Sequence, residues 1–440
     1  MSPDRRRTIL TLALPIIGGM TSQNIMNLVD TAMVGSLGAN ALAAVGIAGF
    51  ANFMCISIIL GLSTAVQATA ARRKGEGNEA IMAGPLNGGL LLAVAIGLPL
   101  SILFYLLTPW LFPYLVDDLA VQPLGTEYLQ VRLIGMIFVG MNFAFRGYWN
   151  GISMPQLYFR TLLIMNVLNI CLNYVLIYGH AGVPALGVYG AGLGTTLSLA
   201  TGTAIYFFLG HRHASAHSFL HALPSKNVVI SMLRLSIPSS IQQFFFAAGL
   251  TALFWIIGKV GTAELAAGNV LVNIMLVALL PGIALGLTAA TLAGQAMGKG
   301  NIADAKQWGW DVSKIGFYLL AVLGIPMVVV PELLLSVFIH ETETMQLAIW
   351  PLRIIGLFIA FDGVGMILMN ALFGVGASKA VMQVSLLMQW CVFLPLAWLI
   401  GPVWGGGLMA IWLLQVAYRA IQVSIFSHIW RKGNWQSIKV

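Results

Sequence analysis

Leu12-Ala13-Leu14-Pro15 lies in an apolar run from residue 8 to 35, and it returns 223 residues later as Leu235-Ser236-Ile237-Pro238. At the same offset Gly35 meets Gly258, Gly38 meets Gly261, and Leu42-Ala43-Ala44 meets Leu265-Ala266-Ala267. Gly61-Leu62-Ser63 is echoed by Gly286-Leu287-Thr288 and Lys74-Gly75 by Lys299-Gly300. Arg132-Leu133-Ile134-Gly135 returns as Arg353-Ile354-Ile355-Gly356, and Gly151 as Gly374. Self-similarity at a nearly constant offset, between 221 and 225 residues, marks an internal duplication.

Working outward from that frame, apolar segments recur at 8–35, 42–70, 85–112, 124–148, 157–179 and 187–210. They continue at 228–258, 264–297, 308–335, 347–371, 379–400 and 406–430. Each is long enough to cross a hydrocarbon core of roughly 30 Å. In lipid every backbone group must be paired internally, which leaves helices or closed barrels. Barrel strands alternate polar and apolar residues over about ten positions, and these segments do not. The expected fold class is an all-α integral membrane protein with twelve transmembrane helices in two pseudo-symmetric six-helix lobes. Residues 1–210 form the first lobe, 211–227 a His-containing linker and 228–440 the second lobe. An even number of helices per repeat makes the halves parallel, a plan suited to alternating access.

Composition agrees. Of 440 residues, 59% are hydrophobic and only 8% charged, against about 25% charged in soluble domains. The net charge of +8 does not point to nucleic acid. With the N-terminus inside, all but three of the 22 Lys and Arg residues fall in the inside loops and termini, the exceptions being Arg132, Lys259 and Arg353. That bias sets topology by the positive-inside rule, placing both termini in the cytoplasm of an inner-membrane protein. The first apolar run is too long for a cleaved signal. Cys55, Cys171 and Cys391 are widely spaced inside spans and read as packing residues without disulfide or metal-ligand spacing. No phosphate-binding GxxxxGK[ST], nucleophile elbow or HExxH occurs, so neither an ATP-driven pump nor an enzyme is expected, and neither a cofactor nor a bound metal. His211, His213, His217 and His221 fall in or beside the solvated linker.

Ionisable groups inside a membrane are costly and are functional candidates by default. Two acids lie well within the spans, Asp30 and Asp362. Helical spacing puts Asn27 and Gln23 on the face of Asp30, and Pro15 removes one backbone hydrogen bond from the same helix. Asn166, Asn169 and Asn173 form a polar stripe on the fifth helix. Thr195, Thr196 and Ser198 on the sixth, with Asn52, Ser63, Thr64 and Gln67 on the second, are expected to complete a polar pocket around Asp30. Desolvation disfavours the charged form of a carboxylate, which suits a membrane acid to carrying protons. One charge crossing about 100 mV is worth roughly 2.3 kcal/mol, enough to drive uphill transport. Gln242, Phe246, Met26, Met33 and Met275 are candidate lining for an adaptable apolar cavity.

These residues resemble the multidrug and toxic compound extrusion (MATE) transporters. The resemblance is carried by Leu14-Pro15, by Asn27-Leu28-Val29-Asp30-Thr31-Ala32-Met33-Val34-Gly35, by Leu42-Ala43-Ala44, by Gln67-Ala68-Thr69-Ala70 through Gly75, by Gly294-Gln295 through Gly300, and by Asn169 with Asn173. It covers the whole chain and is most similar to the bacterial branch containing DNA-damage-inducible protein F. It implies a MATE/MOP-type fold and export of cationic or amphipathic drugs, as a monomer, in exchange for H⁺. Asp30, Asn169 and Asn173 match cation-coupling positions, Pro15 the hinge of the first helix. Asn173 stands where some relatives carry Asp, and Phe246 where another branch carries an acid, while Asp362 matches that branch's acid on helix ten. Na⁺ coupling, or flipping of a lipid-linked precursor as in the same superfamily, are the alternatives.

Overall fold

The computed structural model describes residues 1–221 and 223–438. Ala222 of the expected linker and Lys439, which the charge count included, lie outside them. Among the described residues the secondary structure is helical, without a strand. Among the described residues eleven helices are long and apolar enough to cross a membrane, and a bent pair makes a twelfth when its two parts are taken as one span. In chain order they are α1 (Pro3–Gly35), α2 (Ala39–Gly75), α3 (Gly84–Leu111), α4 (Gln122–Ile134 with Met136–Gly151), α5 (Pro155–Tyr178) and α6 (Gly187–Ala214). Then follow α7 (Lys226–Val260), α8 (Thr262–Gly298), α9 (Ile302–Val329), α10 (Thr342–Gly374), α11 (Ser378–Val403) and α12 (Gly407–Lys432). The ninth span stops at Val329, short of the expected 335, because Val330 leaves helical geometry before Pro331, which starts a separate short helix, Pro331–Leu335.

Hydropathy reads lengths but not bends. The two parts of α4 meet at 47°. At the break Gly135 donates its N–H to Arg132 O at 3.1 Å. A Cβ on Gly135 would come 3.1 Å from Thr196 Oγ1, and that hydroxyl donates to Val131 O at 3.1 Å. The missing side chain thus lets α6 dock at the bend. In α11, two π-helical turns, Leu387–Phe393 and Leu399–Val403, interrupt the α-helix. The first presents Gln389 and Trp390, which donate to the carbonyls of Phe246 (3.4 Å) and Phe245 (3.1 Å) on α7.

The repeated glycines are contact requirements. A Cβ on Gly151 would lie 2.7 Å from Gln67 O, and one on its repeat mate Gly374 only 2.3 Å from Ala290 O. Gly147 likewise meets Ser63 O at 2.3 Å. Glycines four apart allow helix backbones to touch, the usual solution where lipid removes the hydrophobic drive between helices.

The chain divides into two compact units, Leu14–Ser240 and Ile241–Val440 together with Met1–Ala13. The expected lobes began at residues 1 and 228, so the partition differs from them in two stretches. The first thirteen residues group with the C-terminal unit, and residues 228–240 with the N-terminal one. α1 and α7 are therefore the helices that change unit, after Ala13 and after Ser240, beside the repeat-related Pro15 and Pro238.

Charge explains the first of these differences. In the C-terminal unit Arg5 Nη1 donates to Asp304 Oδ1 at 2.5 Å and Nε to Asp311 Oδ2 at 2.6 Å. Its guanidinium carbon sits 3.5 Å from the centroid of Trp308, and Trp308 Nε1 donates to Asp304 Oδ2 at 3.0 Å. The Asp311 side chain is 4% exposed. In the first half of α7, Gly61 N donates to Ser240 Oγ at 3.1 Å, and Ser239 Oγ to Thr64 Oγ1 at 3.2 Å. Two expectations need correcting. Arg419, counted among loop and terminal bases, lies well inside α12 with its side chain 17% exposed. Cys171 and Cys391, expected to pack, are exposed on their helix surfaces.

Removing one partner of a buried ion pair strands the other charge, at a cost of about 3–5 kcal/mol. Arg5→Ala and Asp311→Ala are each expected to lower the apparent Tm in detergent. The double variant should lose less than the sum, with a coupling of about 1–3 kcal/mol. Strict additivity in thermal unfolding would show that the two side chains do not support one another.

Candidate functional site

Asp30 lies in the last third of α1, within the N-terminal unit, and is partly exposed. Asn173 Nδ2 donates to Asp30 Oδ1 at 2.7 Å and to Asn169 Oδ1 at 3.0 Å. Asn169 and Asn173 are one helical turn apart on α5, so a single face presents both amides. Asn173 is fully buried and its Oδ1 has no hydrogen-bond partner. It points at Gly194 of α6, where a Cβ would stand 2.2 Å away. Hydrogen bonds to a carboxylate are roughly twice as strong as neutral ones, so this amide is a firm anchor for the end of α1.

A neighbour that the residue pattern did not disclose is Arg132 of α4, whose charge acts on Asp30. Tyr128, one turn earlier on α4, lies within the fields of both. Arg132 Nε and Nη1 are buried without a hydrogen-bond partner. The signal was available: the expected span 124–148 contained residue 132, which the loop count set aside.

The other expected pocket residues distribute less simply. Asn166 Nδ2 donates to Ser22 Oγ at 2.7 Å, tying α5 to α1 one stretch below the Asp30 contact. Gln23 and Asn27 are exposed and bonded to each other at 3.4 Å, whereas Met26 between them is buried. Met33 gives its carbonyl to Tyr178 at 3.0 Å. Thr195 folds back on its own helix, donating to Ala191 O at 3.0 Å. Ser63 accepts from Arg146 Nε at 3.1 Å, and Thr64 bonds Ser239, so these two α2 hydroxyls serve helix packing rather than Asp30. Pro15 lies inside α1, which is one helix in this structure.

In the C-terminal unit Gln242 is buried with its Oε1 unpartnered. Phe246 contributes a backbone carbonyl to Gln389 of α11. Asp362 of α10 faces Arg419 of α12, with Oδ1 and Nη1 3.6 Å apart. This pairing, like Arg132, escaped the residue pattern because its partners are distant in sequence. Among the described residues no group of three or more His, Cys, Asp or Glu is placed to hold a metal, and His217 bonds the Glu79 carbonyl at 2.9 Å.

Comparison with known proteins places this arrangement. The MatE family model matches the chain twice, over residues 15–175 and 238–399. The two matches start at Pro15 and Pro238, so they follow the duplication read from the sequence. The chain is 24% identical over 444 residues to the probable multidrug resistance protein NorM of Thermotoga maritima, covering 99% of this chain and 94% of that protein. It is 28% identical to the probable NorM of Pseudomonas putida, covering 97% and 94%. Among solved structures it is similar to an outward-facing multidrug resistance MATE family transporter of the MOP superfamily, at a TM-score of 0.91 and 20% identity over 99% of this chain and 97% of that one. It is also similar to a MOP superfamily transporter from Pyrococcus furiosus, at a TM-score of 0.89 and 21% identity over 97% and 95%. The chain is a multi-pass membrane transporter, not an enzyme, and belongs to the MatE family of multidrug and toxic compound extrusion proteins.

Proposed function

We propose that this protein exports cationic or amphipathic organic compounds across the inner membrane by alternating access, in exchange for protons carried by Asp30. The observation that carries this reading is the Asn173–Asp30 hydrogen bond of 2.7 Å. It ties a titratable group on α1 to a buried amide on α5, so a change of protonation changes a helix–helix contact. Protonation removes the charge that makes this bond strong, weakens the pull of Arg132, and frees the last third of α1. Pro15 leaves one carbonyl of α1 without its helical partner, and it lies where the helix changes unit. Bending there, driven by the release at Asp30, reshapes the N-terminal unit and expels the substrate. Deprotonation on the cytoplasmic side restores the bond.

Protons are favoured over Na⁺ by the donor set. A sodium ion asks for several oxygen ligands, but Asn173 turns its Nδ2 toward Asp30, and Arg132 adds a fixed positive charge. Phe246 in place of a second acid supports a reading within the branch containing DNA-damage-inducible protein F, whereas the relatives named above carry the NorM name.

In proteoliposomes Asp30→Asn is expected to abolish efflux of a fluorescent organic cation driven by a pH gradient. Full efflux by that variant contradicts the mechanism, and efflux driven by a Na⁺ gradient alone reassigns the coupling ion. Asn173→Ala removes one hydrogen bond to a charged group, worth about 1.5–3 kcal/mol. Transport should fall by roughly ten- to a hundredfold while the protein stays folded. An unchanged rate would mean that the amide does not participate.

A further inference from the structure

The proton cycle makes no use of Asp362 and Arg419, yet these two charges border a pocket of unusual chemistry in the C-terminal unit. α12 presents Trp412, Gln415 and Arg419 along one face, at spacings of three and four residues. With Asp362 and Phe358 of α10 and Met275 of α8 they line a cavity of about 40 Å³. Three polar atoms on that α12 face, Trp412 Nε1, Gln415 Oε1 and Arg419 Nε, are buried without a hydrogen-bond partner. Trp412 is 1% and Gln415 6% exposed. Buried polar groups are nearly always satisfied, and here a donor, an acceptor and one edge of a guanidinium are left open along one face of α12.

The ion pair is open as well. Arg419 Nη1 stands 3.6 Å from Asp362 Oδ1, too far for a hydrogen bond, and instead donates to Gln422 Oε1 at 3.4 Å. Asp362 and Gln422 therefore engage the Nη1 side of the guanidinium, and the Nε edge is unengaged. That edge has the geometry for a carboxylate. The cavity volume admits a few water-sized groups, hence a head group but not a whole drug. Phe358 and Phe361 on α10 border the pocket and are 41% and 54% exposed, giving an aromatic body a surface on which to rest.

We propose that this pocket is a subsite for the carboxylate of a zwitterionic or acidic amphipathic substrate, with the Asp362–Arg419 pair setting charge selectivity. The carboxylate accepts from Arg419 Nε, while Gln415 and Trp412 continue the open polar face of α12 toward the rest of the ligand. Asp362 neutralises Arg419 while the subsite is empty, and it turns toward the positive end of a zwitterion when the subsite is filled. Removing Arg419 leaves a lone acid that prefers cations. Removing the charge of Asp362 leaves a lone base that prefers carboxylates.

This inference rests on the reading of the chain as an exporter of amphipathic compounds, so its test uses equilibrium binding without any ion gradient. Fluorescence anisotropy of purified protein in nanodiscs is measured with rhodamine B, which carries a free carboxylate, and with its ethyl ester, which is a cation with the same rings. Arg419→Gln should shift the ratio of the two Kd values toward the ester, and Asp362→Asn toward the free acid, each by about tenfold. If a single variant does not fold, Asp362→Asn/Arg419→Gln, which strands no charge, is expected to bind both dyes with a ratio set by neither group and different from wild type. Ratios unchanged from wild type in the folded variants overturn the subsite and leave the exporter reading standing. Failure of the wild-type protein to bind either dye overturns both.

Discussion

A charge inside a membrane-spanning bundle is tolerated only if something nearby neutralises or hydrogen-bonds it, and the interactions that meet this demand hold the functional parts of the molecule in place. Arg5 sits between Asp304 and Asp311, with Trp308 beneath it. Asp362 has Arg419, and Arg146 has Ser63. Asp30 has the amide of Asn173 and the field of Arg132. Of these, the Asp30 contact is the one made to a single uncharged donor, so it is the one that a proton can undo most cheaply. The Arg5 cluster, with two carboxylates on one guanidinium, is built to persist. On the proposed mechanism α1 thus has a fixed beginning and a releasable end, with Pro15 between them.

The duplication supplies the frame and not the chemistry. Pro15 and Pro238, Gly151 and Gly374, and the Arg132 and Arg353 segments recur, although α4 breaks at Gly135 while α10 runs unbroken through Gly356. Gly151 and Gly374 each leave no room for a Cβ against a neighbouring backbone. The acids do not recur: Asp30 corresponds to Leu253, and Asp362 falls near Val139. Each unit still joins one embedded acid to one embedded arginine, by different helices. In the N-terminal unit the arginine is on α4 and acts on the acid through its field, while an amide of α5 makes the hydrogen bond. In the C-terminal unit the arginine is on α12 and faces the acid directly.

What the sequence disclosed follows from how each feature is encoded. Span lengths are local and apolar, so all twelve were legible to within a few residues at most ends. The Asn166, Asn169 and Asn173 stripe was legible because helical spacing converts sequence separation into a shared face. Contacts between distant segments were not. Arg5 and Asp304 are 299 residues apart, and no local pattern joins the first thirteen residues to the C-terminal unit. The bend of α4 depends on Thr196 approaching Gly135, and the π turns of α11 on its contacts with α7. Arg132 and Arg419 were misread for one reason. A basic residue within a span was assigned to a loop, although burial beside an acid is the other way such a residue is accommodated.

The central claim is that one proton, held by Asp30, exchanges for substrate. Its most direct test is the number of protons released when a cationic dye binds purified protein, obtained from binding enthalpies in buffers of different ionisation heat near neutral pH. The account predicts release of up to one proton per dye, lost in Asp30→Asn and kept in Asp362→Asn. Release that survives Asp30→Asn, or binding without proton release at any pH at which wild-type transport is proton-driven, would contradict it.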